Sequence, residues 1–380
     1  MSLPAEGPGK RSGAIRTWVR RSWIFALGFL TGVAIWVPSR RFVAATELLV
    51  ELSRPAVPNA VSPISIVDSS IEYAGGAARA HLYLPRVSPH RCLVIGHGVH
   101  YKGIEEPRLV RFSSELANAG AVVLTPELSD LADYRVTRSG ADVLGESVRS
   151  LSERCPAGSK VGLLGFSFAG GLALLAALDA RVSDHLAYVA SVGGYHDLRR
   201  VLAFLLTDTV QTLQGPTERR AHEYGLVVLL YQYLPSFVPE EDLPYMRPAI
   251  RAWLEEDRSR AWALASRATT EKSERVFTAL ATRETGAIRE AMTRVLSSET
   301  DALRALSPAG RLNEIRVPVY LLHGTGDSVI PPEETAWADK ELGERPHRAL
   351  ITPLIEHVEL DANFRIGDAL DLVDFMASLI

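Results

Sequence analysis

The chain has 380 residues, 47% of them hydrophobic and 23% charged, with a formal net charge of −4. That balance describes a globular protein with a sizeable core, and no clustered basic stripe of the kind nucleic acid requires appears in its body. Two cysteines exclude a disulfide framework and any cysteine-rich metal site.

Residues 1–21 form a polar, basic tail with Lys10, Arg11, Arg16, Arg20 and Arg21, and residues 22–38 carry no charge. This run sits at the lower limit for crossing a bilayer, which takes about 20 apolar residues. Trp23 and Trp36 lie near its ends, where interfacial aromatics belong. The expectation is a transmembrane signal-anchor helix over 22–38. Basic residues are denser before it than after it, so the positive-inside rule puts the N-terminus in the cytoplasm and the body outside, in a single-pass arrangement. Two alternatives stay open. One is a cleaved signal peptide, with Arg20-Arg21 as a twin-arginine-like start and Val43-Ala44-Ala45 as the cleavage site; Arg40 and Arg41 after the run count against it. The other is an N-terminal helix packed on the protein.

Residues 39–63 read as a linker, with a short helix from Phe42 to Leu52 and a stiff stretch through Pro55, Pro58 and Pro63. Strands are expected at Ile64–Tyr73 and Ala78–Leu84, joined hairpin-fashion through Gly75-Gly76. A third strand, Arg91–Gly96, runs into His97-Gly98-Val99-His100. The acids and proline of Glu105-Glu106-Pro107 suit a helix N-terminus, and that helix extends to about Ala119. A buried strand at Ala121–Pro126 and a helix at Ser139–Glu153 follow. Val161 to Leu164 is a short apolar run of the buried-strand type, and after Ser167 an apolar stripe through Leu172, Leu175 and Leu178 marks a helix. His185–Val192 is one more strand. From 198 to 306 strand–helix alternation gives way to helical periodicity, as in Arg199–Leu206, Tyr224–Leu234, Tyr245–Glu255, Ser273–Ala281 and Ile288–Val295. Alternation returns with a strand at Val317–His323, a helix after Pro331-Pro332-Glu333, a strand at Arg348–Pro353 and a final helix from Asp368 to Ile380. The pattern predicts an α/β protein: a mostly parallel sheet flanked by helices, built from 64–197 and 307–380, with 198–306 as a helical insertion.

Ser167 stands where a strand turns sharply into a helix, with Gly165 two residues before it and Ala169 two after. A serine on such a turn has strained backbone angles, and its neighbours at these offsets collide unless they are small. Gly-x-Ser-x-Gly/Ala arises by chance in roughly a quarter of chains this long, so its partners must carry the case. An acyl-transfer serine needs a base, a carboxylate to orient that base, and donors for the oxyanion, gathered at the C-terminal ends of strands. The acid candidate is Asp327, after a buried strand and a glycine-rich turn; Asp197 is its rival. The base candidate is His357, just past the last strand. His347 precedes its strand and His323 lies inside one. The oxyanion donors would be the backbone amides of Phe168, at a helix N-terminus, and Val99, where Gly98 permits close approach. His97 and His100 organise this loop. Such chemistry requires no metal or organic cofactor.

The order Ser167, Asp327, His357, with the His97-Gly98 turn upstream and His323-Gly-Thr-Gly-Asp327 downstream, resembles the α/β-hydrolase superfamily across residues 64–380. Phe166-Ser167-Phe168-Ala-Gly-Gly171 is also similar to elbows of dienelactone-hydrolase and esterase-type members, although those dienelactone hydrolases carry cysteine as nucleophile. Ala169 departs from Gly-x-Ser-x-Gly. The resemblance implies the α/β-hydrolase fold, a helical lid at 198–306 over an apolar pocket, and a serine hydrolase of the carboxylic-ester type. Its substrate would be a small-molecule ester or amide with a sizeable apolar part. An acyltransferase using the same triad and a non-catalytic binding scaffold are the alternatives, and an intact triad argues against the scaffold. Serine at 167 excludes the haloalkane and epoxide chemistries, which need an acid there. The superfamily's strand order also implies that Cys92 and Cys155 lie towards the same, non-catalytic edge of the sheet. That placement admits a disulfide if the body is extracytoplasmic; two unpaired buried thiols are the expectation.

Overall fold

The computed structural model describes residues 40–53, 64–356, 359–360 and 366–379. The expected anchor over 22–38, the basic tail and the candidate base His357 lie outside the described residues. Among those described, no helix is long and apolar enough to cross a membrane.

Helix α1 spans residues 40–53. β1 (Ser65–Tyr73) and β2 (Gly76–Leu84) form an antiparallel hairpin closed at Tyr73↔Gly76, where Gly76 takes a φ of 126° that only glycine adopts readily. β2 pairs antiparallel with β4 (Ala121–Pro126), and from there the sheet is parallel: β4, β3 (Arg91–Gly96), β5 (Val161–Phe166), β6 (Leu186–Val192), β9 (Val319–Gly324) and β10 (His347–Thr352). All six residues of β4 are buried, as continuous apolar strands covered on both faces must be. α2 (Pro107–Asn118), α3 (Ser129–Ala132), α4 (Arg138–Ser152), α5 (Phe168–Ala177) and α6 (Ala180–Ser183) connect the first strands. α14 (Glu333–Leu342) joins β9 to β10, and α15 (Ile366–Leu379) completes the described chain. One face of the sheet packs on α4 and α5, the other on α1, α2 and α15.

From β3 the chain goes first to β4 on one side and then to β5 on the other. The topological switch point therefore lies between β3 and β5, and the crevice of an open α/β sheet opens at such a point beyond the strand C-termini. His97–Val99 and Ser167 are the residues that emerge there.

Between β6 and β9 the chain forms α7 (Leu198–Thr207), α8 (Glu223–Gln232), α9 (Leu243–Leu254), α10 (Arg258–Ala265), α11 (Glu271–Thr282), α12 (Gly286–Ser298) and α13 (Thr300–Ala305). It also holds a feature that periodicity does not announce, the hairpin β7 (Thr209–Thr212) and β8 (Gly215–Glu218). Both ends of this block are fixed to α14. The buried Glu334 carboxylate accepts from the His196 and Asp197 amides at 2.9 and 2.7 Å and pairs with Arg200 at 2.8 Å. Glu341 accepts from the Gly310 and Leu312 amides, each at 2.8 Å, and from His196 Nε2 at 2.6 Å.

Two expectations need correction. Cys92 and Cys155 form a disulfide with Cα atoms 6.1 Å apart, so they are not unpaired thiols. The reason is register: β3 and β5 pair from Cys92↔Val161, so Cys155, just past the end of α4, comes down beside the start of β3. His347 does not precede its strand but opens β10, where its ring bonds Asp339 at 2.9 Å and the Arg345 carbonyl at 2.8 Å.

Candidate active site

Ser167 caps α5 with φ 53° and ψ −128°, a combination that a residue with a side chain rarely adopts. Two backbone bonds hold it there: its amide donates to the Val192 carbonyl, and its carbonyl accepts from the Gly170 amide, both at 2.8 Å. The turn is so tight that a Cβ on Gly165 would stand 2.5 Å from the Ala169 carbonyl carbon and 2.7 Å from the Gly170 nitrogen. The spacing of small residues around Ser167 is thus a steric requirement of this backbone, and the side chain is half-buried at the crevice.

Gly98 faces it. A Cβ there would lie 3.2 Å from Ser167 Cβ and 3.8 Å from its Oγ, so the loop after β3 passes at a distance that only glycine makes comfortable. His97 sets the orientation of that loop. Its buried ring accepts from the Leu128 amide at Nε2, 2.9 Å away, so the proton sits on Nδ1 and donates to the Gly98 carbonyl at 2.8 Å. The Gly98 carbonyl and the Val99 N–H belong to one peptide unit, and fixing the first aims the second. Burial pushes the His97 pKa below its ordinary value of 6.5, against the opposing pull of Glu127, whose Oε1 is 3.6 Å from Nε2. The ring is therefore neutral, as its acceptor role demands. Glu127 also accepts from the Ile104 amide at 3.2 Å, and Tyr224 of α8 donates to the Val99 carbonyl at 3.3 Å. Neither residue stands out in the sequence; Glu127 carried one usable signal, a carboxylate just past the C-terminal end of β4. Phe168, the other candidate donor, is the first residue of α5, where backbone N–H groups have no intrahelical partner.

Asp327 is buried after β9. Its Oδ1 accepts from the Val329 and Ile330 amides at 2.9 and 3.0 Å, and Oδ2 lies 3.6 Å from His323 Nε2. The rival Asp197 is occupied elsewhere: it caps α7 through the Arg199 amide and pairs with the Arg199 guanidinium at 2.7 Å, which holds its carboxyl low despite burial. His323 is also a structural residue, with its nitrogens bonded to Thr335 Oγ1 at 2.8 Å and the Ile330 carbonyl at 2.9 Å.

Ser167, Gly98 and Val99 open into one cavity of about 470 Å³, together with Leu322 near the end of β9 and Ile355 of the short strand β11 (Ile355–Glu356). Asp327 stands at the end of the same β9, and Ile355 comes two residues before His357. None of the described residues lining this cavity comes from 198–306.

No protein-family model and no curated protein matches this chain. Solved structures do. The rice cell wall degrading esterase LipA from Xanthomonas oryzae aligns with a TM-score of 0.50 at 15% identity, over 87% of this chain and 92% of that one. Brefeldin A esterase, a bacterial homologue of human hormone sensitive lipase, aligns at 0.45 and 15% over 83% and 76%. The acylaminoacyl peptidase of Pyrococcus horikoshii aligns at 0.43 and 12%; the match takes in 76% of this chain but spans only 36% of that protein's length. The parallel sheet, its flanking helices and the agreement with LipA together identify this chain as an α/β-hydrolase fold.

Proposed function

We propose that the protein is a serine hydrolase of the carboxylic-ester type, cleaving an ester or amide with a sizeable apolar part. The observation that carries this reading is the Ser167 backbone, held in a strained conformation at the switch point of the sheet with Gly98 pressed against it. Strain of this kind costs about 1–3 kcal/mol and persists where the surrounding structure over-determines it. Ser167 Oγ attacks the carbonyl while His357 takes its proton, and Asp327 orients the imidazole and stabilises its cation. The Val99 and Phe168 amides receive the oxyanion. The carbonyl carbon–oxygen bond to the leaving alcohol breaks as His357 returns the proton to it, and water activated by His357 then releases the acid from Ser167. Residues 198–306 insert between the two parts of a core built from 64–197 and 307–380 and reach the site loop through Tyr224, which donates to the Val99 carbonyl. Residues 22–38 anchor the chain, N-terminus inside, with the body extracytoplasmic; the Cys92–Cys155 bond supports an oxidising compartment.

The test is fluorophosphonate labelling of the full-length chain, wild type against Ser167→Ala and His357→Ala. Labelling confined to the wild type is expected. A folded wild type that stays unlabelled would refute an activated serine.

A further inference from the structure

The cavity at Ser167 runs down one face of the sheet, away from the 198–306 block. Leu164 of β5 lines it three residues before Ser167, roughly 10 Å along the strand. Leu372, Met376 and Leu379 line it along two turns of α15, again about 10 Å. Leu109 of α2 completes one side, and Leu49 of α1 closes it from outside. All six side chains are apolar. Of the charged lining residues, Glu106 and Arg108 pair at 2.8 Å at the start of α2, and Arg111 lies one turn further on, with its guanidinium turned to the Glu51 carbonyl of α1. The result is a mostly apolar cavity into which a serine hydroxyl opens.

We infer that this channel is an acyl-chain site and that the substrate is an ester of a straight-chain fatty acid. The carbonyl lies at Ser167 and the tail between the sheet and helices α2 and α15, roofed by α1. The inference rests on the serine-hydrolase reading and adds to it the substrate class and the face of the sheet that holds it. An apolar cavity between a sheet and its helices can bury an alkyl tail, and the roughly 10 Å over which its apolar lining runs along β5 and α15 matches an extended acyl chain. The roof fits the same chemistry. Arg111 of α2 donates to the Glu51 carbonyl, holding the C-terminal end of α1 in place. At the other end of α1, Phe42 and Val43 are 36% and 54% exposed. That end follows the proposed anchor in sequence, and an anchored chain would hold the roof close to a lipid surface.

The experiment compares p-nitrophenyl butyrate with p-nitrophenyl octanoate on the full-length chain, with fluorophosphonate labelling in parallel. Burying each added methylene is worth about fourfold, so kcat/KM should favour octanoate on the order of a hundredfold. Leu372→Trp and Leu109→Trp, which fill the channel, should cut that octanoate-to-butyrate ratio at least tenfold. A variant that is merely destabilised lowers both rates and leaves the ratio unmoved. A wild type that labels but handles both esters equally, or prefers butyrate, overturns the inference while sparing the serine-hydrolase reading. An unmoved ratio in both folded tryptophan variants does the same. Should those variants fail to fold, Met376→Phe repeats the test with a smaller change, and the wild-type ratio decides by itself. A wild type that neither labels nor turns over either ester overturns both readings.

Discussion

Replacing His97 by leucine keeps roughly the volume of the ring and removes both of its hydrogen bonds. The buried Leu128 amide then has no acceptor, and the Gly98 carbonyl loses the donor that orients the peptide carrying the Val99 N–H. An orphaned buried polar group costs about 1–3 kcal/mol. With one of the two only half-buried, the variant should lose about 2–5 kcal/mol, read from urea denaturation. Removing an oxyanion donor outright slows catalysis by about 10²–10³-fold; loosening one should slow fluorophosphonate labelling by about 10–100-fold. There is also a pH signature. Burial holds the folded pKa of His97 below its ordinary value of 6.5, so on acidification the unfolded chain takes up this proton first. The stability that neutral His97 contributes is complete above about 6.5 and drains away as the pH falls through the lowered folded value. In His97→Leu this part of the pH dependence disappears, so the stability gap between wild type and variant should narrow from about pH 7 towards about pH 5. A variant as stable and as quickly labelled as the wild type, or a gap that stays constant over that window, would refute the role given to this ring.

Gly165→Ala should cost about 3 kcal/mol or more and abolish labelling, because the added Cβ meets the backbone of Ala169 and Gly170 rather than a side chain that can turn away. Equal denaturation midpoints for this variant and wild type would contradict the steric account of the elbow. The Cys92–Cys155 bond closes a loop across a sequence separation of 63, for which chain entropy gives about 4 kcal/mol. The double variant Cys92→Ala/Cys155→Ala should show that loss in urea, and reductant should lower the wild type by a similar amount while leaving the variant unchanged.

The parallel strands were legible because they are buried on both faces. Cys92–Ile95 and Ala121–Leu124 are continuous apolar runs, and the structure has β3 at Arg91–Gly96 and β4 at Ala121–Pro126. The hairpin β7–β8 was not legible: Thr209–Thr212 and Gly215–Glu218 are short, mostly polar and lie inside a helical stretch, with Gly215-Pro216 as a turn signal but no apolar alternation on either side of it. The small residues flanking Ser167 could be read from the sequence because sterics act between chain neighbours. The disulfide could not, since it depends on how β3 and β5 register against each other. The lid expectation likewise gave no view of the channel, which depends on how α1, α2 and α15 stand off the sheet. His97 was legible as a loop organiser, but its partner, the Leu128 amide, lies 31 residues away in sequence.

The clamping of residues 196–200 and 307–312 onto Glu334 and Glu341 bears on how this protein can diversify. Both roots of the 198–306 block are held by one helix, chiefly through main-chain amides, and main-chain contacts are indifferent to which side chains the block carries. The block is thus built like a cartridge in a socket. Segments of it that do not pack on the core can be lengthened, shortened or exchanged without disturbing those clamps. A swinging door would need slack at its roots, and these roots are clamped. Changes inside the cartridge can therefore accumulate while the socket stays the same.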